Sequence, residues 1–435
     1  MSLTAIVYLL VYFGCLLKAF TTKPIWGLYA YLIAFYAHPI ARWWGYSLPE
    51  LRWSFMAALI TLIALFLNKS KNEKGSGWFE FKETKLFVIF FIFLLMQYGW
   101  ALNSSLHTVY VLLAFKYLIL IALIQGCIKT KSDVIGFIAA NVCGALYFAY
   151  LGASYQNGRL EGIGGPGIES SNGLGQHLSI LLIFSSYLLF VKLGKAKYLL
   201  VIAIIFILNT IMLTGSRGAI LAILLTGVLS LFFIPKGYKK HFIGLATLGA
   251  IAFSLLIGPQ ILERFQGMKS DTEGQIKDKS AASRLVIIES QLQMFLERPI
   301  IGQGHRTTLL LSPIYIPQEY MATVRTAGTK IQRRASHNFI MGMLTDHGVI
   351  GLGLFSLIAL SISKHLFRVR KLDPLEVDNE LLIIQTGLCL GFFCYLVAGL
   401  FSNNKIFEIS IWLIAIIPVV NKMLVNSKAE SSHVN

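Results

Sequence analysis

The chain alternates long apolar blocks with short polar connections, and almost no stretch shows the two-residue alternation of a half-buried strand. Apolar blocks fall at about 3–17, 25–40, 51–67, 86–102, 108–128, 133–151 and 175–192. Further blocks follow at 198–213, 218–234, 241–257, 346–363, 381–401 and 406–424. A helix needs roughly 20 apolar residues to cross a bilayer squarely, and the shorter blocks borrow flanking Trp and Tyr at the interface. The pattern predicts an all-α polytopic transmembrane bundle of twelve or thirteen helices. It divides into N-terminal helices over 1–257, a long outer loop over 258–345, C-terminal helices over 346–427 and a disordered tail over 428–435. Within the loop, Leu285, Ile288, Leu292 and Phe295 recur at helical spacing and Pro299 follows Arg298, so a helix is expected from Ser283 to Arg298 with its apolar stripe turned toward the bundle.

Composition supports this picture. Of 435 residues 56% are hydrophobic and only 14% charged, and the mean hydropathy is +0.67. The formal net charge of +17 would suggest nucleic acid in a soluble protein. Here the cations crowd short loops: Lys69, Lys71, Lys74, Lys82 and Lys85; Lys129 and Lys131; Lys192, Lys195 and Lys197; Lys236, Lys239 and Lys240; Lys364, Arg368, Arg370 and Lys371. Alternating spans put all five clusters on one side, which the positive-inside bias makes cytoplasmic. The five cysteines lie in or beside apolar blocks, without metal or disulfide spacing.

The unusual polar sequence collects on the opposite, outer face, in four segments. Arg159-Leu160-Glu161-Gly162 leads through a Gly/Pro-rich turn to Ser170-Ser171-Asn172-Gly173. Thr214-Gly215-Ser216-Arg217-Gly218 places an arginine at the start of an apolar block, where an unpaired charge is costly. The loop helix carries Arg284 and ends at Arg298-Pro299-Ile300-Ile301-Gly302-Gln303-Gly304. Arg333-Arg334 precedes His337-Asn338, and Gly348-Val349-Ile350-Gly351 follows. Guanidinium forks grip phosphate with paired hydrogen bonds. An imidazole, with an ordinary pKa near 6.5, can take a proton from an attacking hydroxyl at neutral pH. No acidic cluster for a divalent metal is present, so neither a metal nor another cofactor is expected.

In this order, on one membrane face, these motifs resemble the O-antigen ligase family from about Arg159 to Gly353. The resemblance implies an inner-membrane glycosyltransferase with its active face periplasmic. A glycan on undecaprenyl pyrophosphate would pass, without metal, to an acceptor hydroxyl such as that of lipid A–core. It implies His337 as base and Arg159, Arg217 and Arg284 as the pyrophosphate ligands; Asn338, beside the base, is expected to bind substrate as well. O-antigen polymerases and protein O-oligosaccharyltransferases share much of the pattern, so the acceptor stays open. A lipid-linked glycan transporter is the rival from another class; the lack of an internal repeat and the clustering of polar groups at one face weigh against it. Nothing in the sequence suggests nucleic acid as a partner.

Overall fold

The computed structural model describes residues 1–68, 79–154, 159–256, 279–326, 329–372, 376–402, 405 and 407–434. Lys69, Lys71 and Lys74, and the opening of the outer loop from Gly258 to Asp278, lie outside these described residues. The chain is an all-α polytopic bundle. The first ten helices are α1 (Leu3–Thr21), α2 (Ile25–Ala37), α3 (Trp53–Leu67), α4 (Lys82–Met96), α5 (Ser104–Cys127), α6 (Lys131–Ala153), α7 (Ser171–Ser186), α8 (Ala196–Thr214), α9 (Arg217–Phe233) and α10 (Lys239–Leu256). The polar loop adds α11 (Lys279–Glu297) and α12 (Thr307–Tyr315), and the chain closes with α13 (Phe339–Val369), α14 (Asn379–Gly399) and α15 (Glu408–Val434). Eight described helices are long and apolar enough to span a membrane; α3, α9 and the stretch Ile25–Ala41 are shorter apolar helices. α15 runs on through the stretch the sequence marks as a tail, and Lys428, where that stretch begins, pairs with Glu376 at 2.8 Å.

The helix ends sort by charge, as the lysine pattern requires. Lys131 pairs with Asp378 and Glu380, both at 2.8 Å, and the Lys192 amide donates to Glu380. Asn379 donates to the Tyr238 hydroxyl at 3.0 Å, and Lys422 meets Glu80 at 2.7 Å. These contacts gather the lysine-rich connections at one end and leave the arginine and histidine segments at the other. α7 and α14 form the innermost pair. Glycines let them approach: a Cβ on Gly387 would stand 2.6 Å from Tyr187, and one on Gly391 would stand 3.1 Å from Phe184.

α13 is broken rather than continuous. Gly348 takes φ 64 and ψ −166, so a short half-helix from Phe339 stops there and a long one resumes. The break exposes backbone groups that lipid cannot satisfy, and the Pro299–Gly304 strap pairs with them. Val349 donates to the Pro299 carbonyl at 2.8 Å and Ile350 to that of Ile300 at 3.1 Å; Gln303 donates to Thr345 at 3.3 Å and Gly304 to Asp346 at 2.8 Å. The approach is backbone to backbone. A Cβ on Gly302 would meet Asp346 main chain at 2.5 Å, and one on Gly348 would meet the Ile300 carbonyl at 2.4 Å. This is the physical reason for the Pro-x-x-Gly-x-Gly spacing.

Two expectations for the outer loop change. α11 forms where the periodicity places it, but Leu285, Leu292 and Leu296 are exposed, and the packed face is Ser283, Ile287, Ser290, Gln291 and Met294. Its neighbours supply hydrogen-bonding groups beside a small apolar cluster in which Ile287 and Met294 pack with Ile316 and Leu311. Gln291 donates to Thr308 and Ser290 to the Tyr315 carbonyl, both at 3.0 Å, while Gln303 donates to the Met294 carbonyl at 2.8 Å. The loop also contains an antiparallel hairpin, β1 (Ala322–Thr326) with β2 (Thr329–Arg333), pairing Ala322 with Arg333 and Thr326 with Thr329.

Candidate active site

The α8–α9 corner organises the first two arginines. Gly215 ends α8 in the left-handed region (φ 56), and Ser216 caps α9 by accepting from the Ala219 amide. Arg217 is therefore the first residue of a helix whose N-terminal amides and dipole favour an anion. Arg159 reaches the same corner. Its Nε donates to the Thr214 carbonyl at 2.9 Å and its Nη2 to Asn172 Oδ1, at the start of α7, at 2.7 Å. Two arginines 58 positions apart thus share one turn, with a serine cap on each adjacent helix.

The second cluster lies around His337. Ser336 Oγ accepts from the Asn338 amide at 3.2 Å and donates to the Asn338 carbonyl at 2.8 Å, clasping the histidine between them. Burial, then the positive charges of Arg334 and Arg284, push the His337 imidazole down to about 4. Arg334 reaches Ser283, next to Arg284, at 3.4 Å. The imidazole is consequently neutral at neutral pH and able to accept a proton. Arg333 is engaged elsewhere, donating to the carbonyls of Leu309 and Leu310 on α12.

The turn after α14 stands between the two clusters. Asn338 Nδ2 donates to the Leu400 carbonyl at 3.3 Å. On the other side, a Cβ on Gly218 would stand 2.6 Å from Phe401, and Ser402 meets Gln176 at 2.7 Å. Arg159 with Arg217, and Arg284 with His337, therefore flank one turn at the polar end of the bundle. Asn338 has a further duty: its Oδ1 accepts from the Met341 amide at 3.0 Å, making it the N-cap of α13. Asn338→Ala is expected to cost about 1 kcal/mol of stability through the lost cap, whereas Asn338→Ser keeps a capping oxygen and the wild-type midpoint. Thermal unfolding of the purified variants checks both.

Sequence reasoning missed the group beneath the site. Asp346, fully buried, forms an ion pair with buried Lys405 and accepts from the amides of Arg306 (2.8 Å) and Thr307 (3.0 Å), capping α12. His305 Nδ1 lies 3.5 Å from the same carboxylate. Tyr110 stacks on His305 at 4.2 Å and on His347 at 5.2 Å, and His347 bonds to Gln97 at 2.7 Å. The available signal was one charge at the edge of each of two apolar blocks, Asp346 and Lys405, of opposite sign. Among the described residues no group of three or more His, Cys, Asp or Glu could hold a metal ion.

Residues 177–356 match the family model described as O-Antigen ligase. The match contains Arg217, Arg284, His337 and the helix break at Gly348, so this part of the chain is similar to the O-antigen ligase family. Arg159 lies outside the matched segment. No curated protein matches the chain.

Proposed function

We propose that the protein moves a glycan from undecaprenyl pyrophosphate to an acceptor hydroxyl at the periplasmic face of the bacterial inner membrane, the acceptor being lipid A–core. The observation that carries this reading is the flanking of one turn by two arginines on one side and a neutral imidazole beside a third on the other. Arg159, Arg217 and Arg284 hold the donor's pyrophosphate, and the N-terminus of α9 adds its dipole. The acceptor oxygen attacks the anomeric carbon from the face opposite the diphosphate. As the new C–O bond forms, the old one breaks, inverting the configuration, and His337 takes the hydroxyl proton. Negative charge builds on the departing diphosphate where the guanidiniums already stand, which lowers the barrier without reorganisation and calls on no metal. Asn338 sets the position of His337 and has a second amide hydrogen to offer the donor.

Reconstituted in liposomes with lipid-linked glycan and lipid A–core, the protein is expected to form the glycosylated acceptor in the presence of chelator. Absence of that product would refute the reading; product only with a protein or polysaccharide acceptor would move it to the sister activities. The pH profile carries a second expectation. His337 is depressed in the protein, so its base form persists as pH falls below its ordinary value, and transfer is lost only as pH drops through about 4 when donor is subsaturating. Bound pyrophosphate offsets the field of Arg334 and Arg284, so the acid limb moves upward at saturating donor. An acid limb that ignores donor concentration would contradict this coupling.

A further inference from the structure

The connection from α7 to α8 and the start of α10 enclose a cavity of about 390 Å³ at the lysine-rich end of the bundle, opposite the arginine clusters. Small-molecule sites run from roughly 300 to 1,000 Å³, so it has room for a ligand. Leu189, Phe190 and Leu193 give it apolar walls, and Lys192, Lys197 and His241, all exposed, stand around its mouth. Gly194 takes the left-handed region (φ 56) and folds the connection back, so both lysines reach the same cavity. Tyr238 is held between the two segments: its ring lies 5.8 Å from that of Phe190, and its hydroxyl accepts from Asn379 at 3.0 Å.

The positive-inside bias accounts for lysines at this end but not for how they are partnered. Lys131, Lys422 and Lys428 each meet a carboxylate, at 2.8, 2.7 and 2.8 Å. Among the described residues the ammonium groups of Lys192 and Lys197 and the His241 ring make no hydrogen bond or ion pair, and no carboxylate lines the cavity. Glu380 accepts from the Lys192 amide, but its charge is already matched by Lys131. α8 and α10 both begin here, and their dipoles add to the positive field. Two ammonium groups and a ring N–H around one cavity are donors waiting for an anion.

The surroundings choose among anions. A free phosphate has nothing to set against Leu189, Phe190 and Leu193. Next to the cavity, α8 turns Tyr198, Ile202 and Phe206 outward at successive turns, and α10 adds Ile243, all exposed. On a helix long and apolar enough to span the membrane, such a stripe meets hydrocarbon, and Tyr198 at its start has the place of an interfacial aromatic. A ligand with its phosphate at the lysines and its acyl chains along this stripe satisfies both surfaces. A zwitterionic head group would set its own ammonium against Lys192 and Lys197, so the head group carries a net negative charge.

We propose that this cavity binds the phosphate of an anionic glycerophospholipid from the leaflet at the lysine-rich face, with the acyl chains lying along α8. The site is independent of the transferase reading above. The test is native mass spectrometry of the full chain, titrated with phosphatidylglycerol, with phosphatidylethanolamine of the same acyl chains, and with inorganic phosphate. Lys192→Gln combined with Lys197→Gln is expected to weaken phosphatidylglycerol about tenfold, and Lys192→Arg combined with Lys197→Arg to keep it. Lys364→Gln combined with Lys371→Gln removes the same charge from two other exposed lysines of this end and should change nothing. Phosphatidylglycerol should also raise the unfolding midpoint of the wild type and not of the Lys192/Lys197 glutamine variant, because a ligand that binds only the folded state stabilises it. The midpoint of that variant without lipid, equal to wild type, shows that charge and not fold was lost. Phosphatidylglycerol binding that survives the glutamine pair overturns the proposal. So does an equal loss in the Lys364/Lys371 variant, which would make the effect one of net charge, or phosphatidylethanolamine binding as tightly. Displacement of phosphatidylglycerol by inorganic phosphate at equal concentration overturns it too, giving the cavity to a water-soluble anion.

Discussion

His337→Ala is expected to lower glycan transfer by about 10²–10⁴-fold, the usual contribution of a positioned general base, while the protein keeps its wild-type unfolding midpoint. The two halves separate because the local fold does not depend on the imidazole. The Ser336–Asn338 clasp uses a hydroxyl and main-chain atoms, and the α13 cap belongs to Asn338. Alanine leaves all of these in place. The arginines also remain, so donor binding measured directly should change little while turnover falls. Arg284→Ala gives the complementary result. It removes one of the positive charges holding His337 down, and the acid limb of the remaining activity should move toward the ordinary histidine range. Full transfer by His337→Ala would eliminate the base assignment and leave the arginines as the whole of the site.

The largest stability effect is expected at Asp346. Asp346→Leu strands the Lys405 ammonium, only 5% exposed, in the interior and leaves the Arg306 and Thr307 amides without their acceptor. Breaking a buried pair from one side costs about 3–5 kcal/mol, because the remaining charge is uncompensated. Removing both charges is a different matter. Asp346→Leu combined with Lys405→Met should recover a large part of the loss, since a buried ion pair contributes little net stability over a packed apolar replacement. Thermal unfolding of the single and double variants in one detergent separates these outcomes; a single variant as stable as wild type would mean that Lys405 finds water or another anion. Activity should follow the fold here, because Asp346 closes the half-helix that starts just after His337 and also caps α12.

How far these features could be read in advance depends on the range of the interaction behind each. Gly302, Gly304 and Gly348 were visible as spaced glycines, yet their partner was not. The strap and the helix break fit because one main chain lies against another, and that match has no side-chain signature. The leucines of α11 show the reverse error. Their helical period correctly marks the helix, but period alone does not choose which face packs: the packed face joins Ile287 and Met294, clustered with Ile316, to Gln291, Ser290 and Ser283, hydrogen-bonded to α12 and the loop. Asn338 was legible as a polar residue beside the candidate base. Its capping role follows from position at the start of the half-helix, a pattern shared with Ser170 and Ser216.

By itself the amino-acid order determined that this chain is a membrane-crossing helical bundle, where most of its helices run, and which ends carry the lysines. Partition into a bilayer is decided segment by segment from local hydropathy and flanking charge, so no knowledge of neighbours is needed. Only the tertiary structure decided that Arg159 meets the Thr214 turn, that Leu400 and Phe401 stand between the two clusters, and that Asp346 finds Lys405 59 positions away. Each of these is a pairing between segments remote in the chain, fixed by packing and hydrogen-bond satisfaction across helices, and no local pattern encodes the choice of partner.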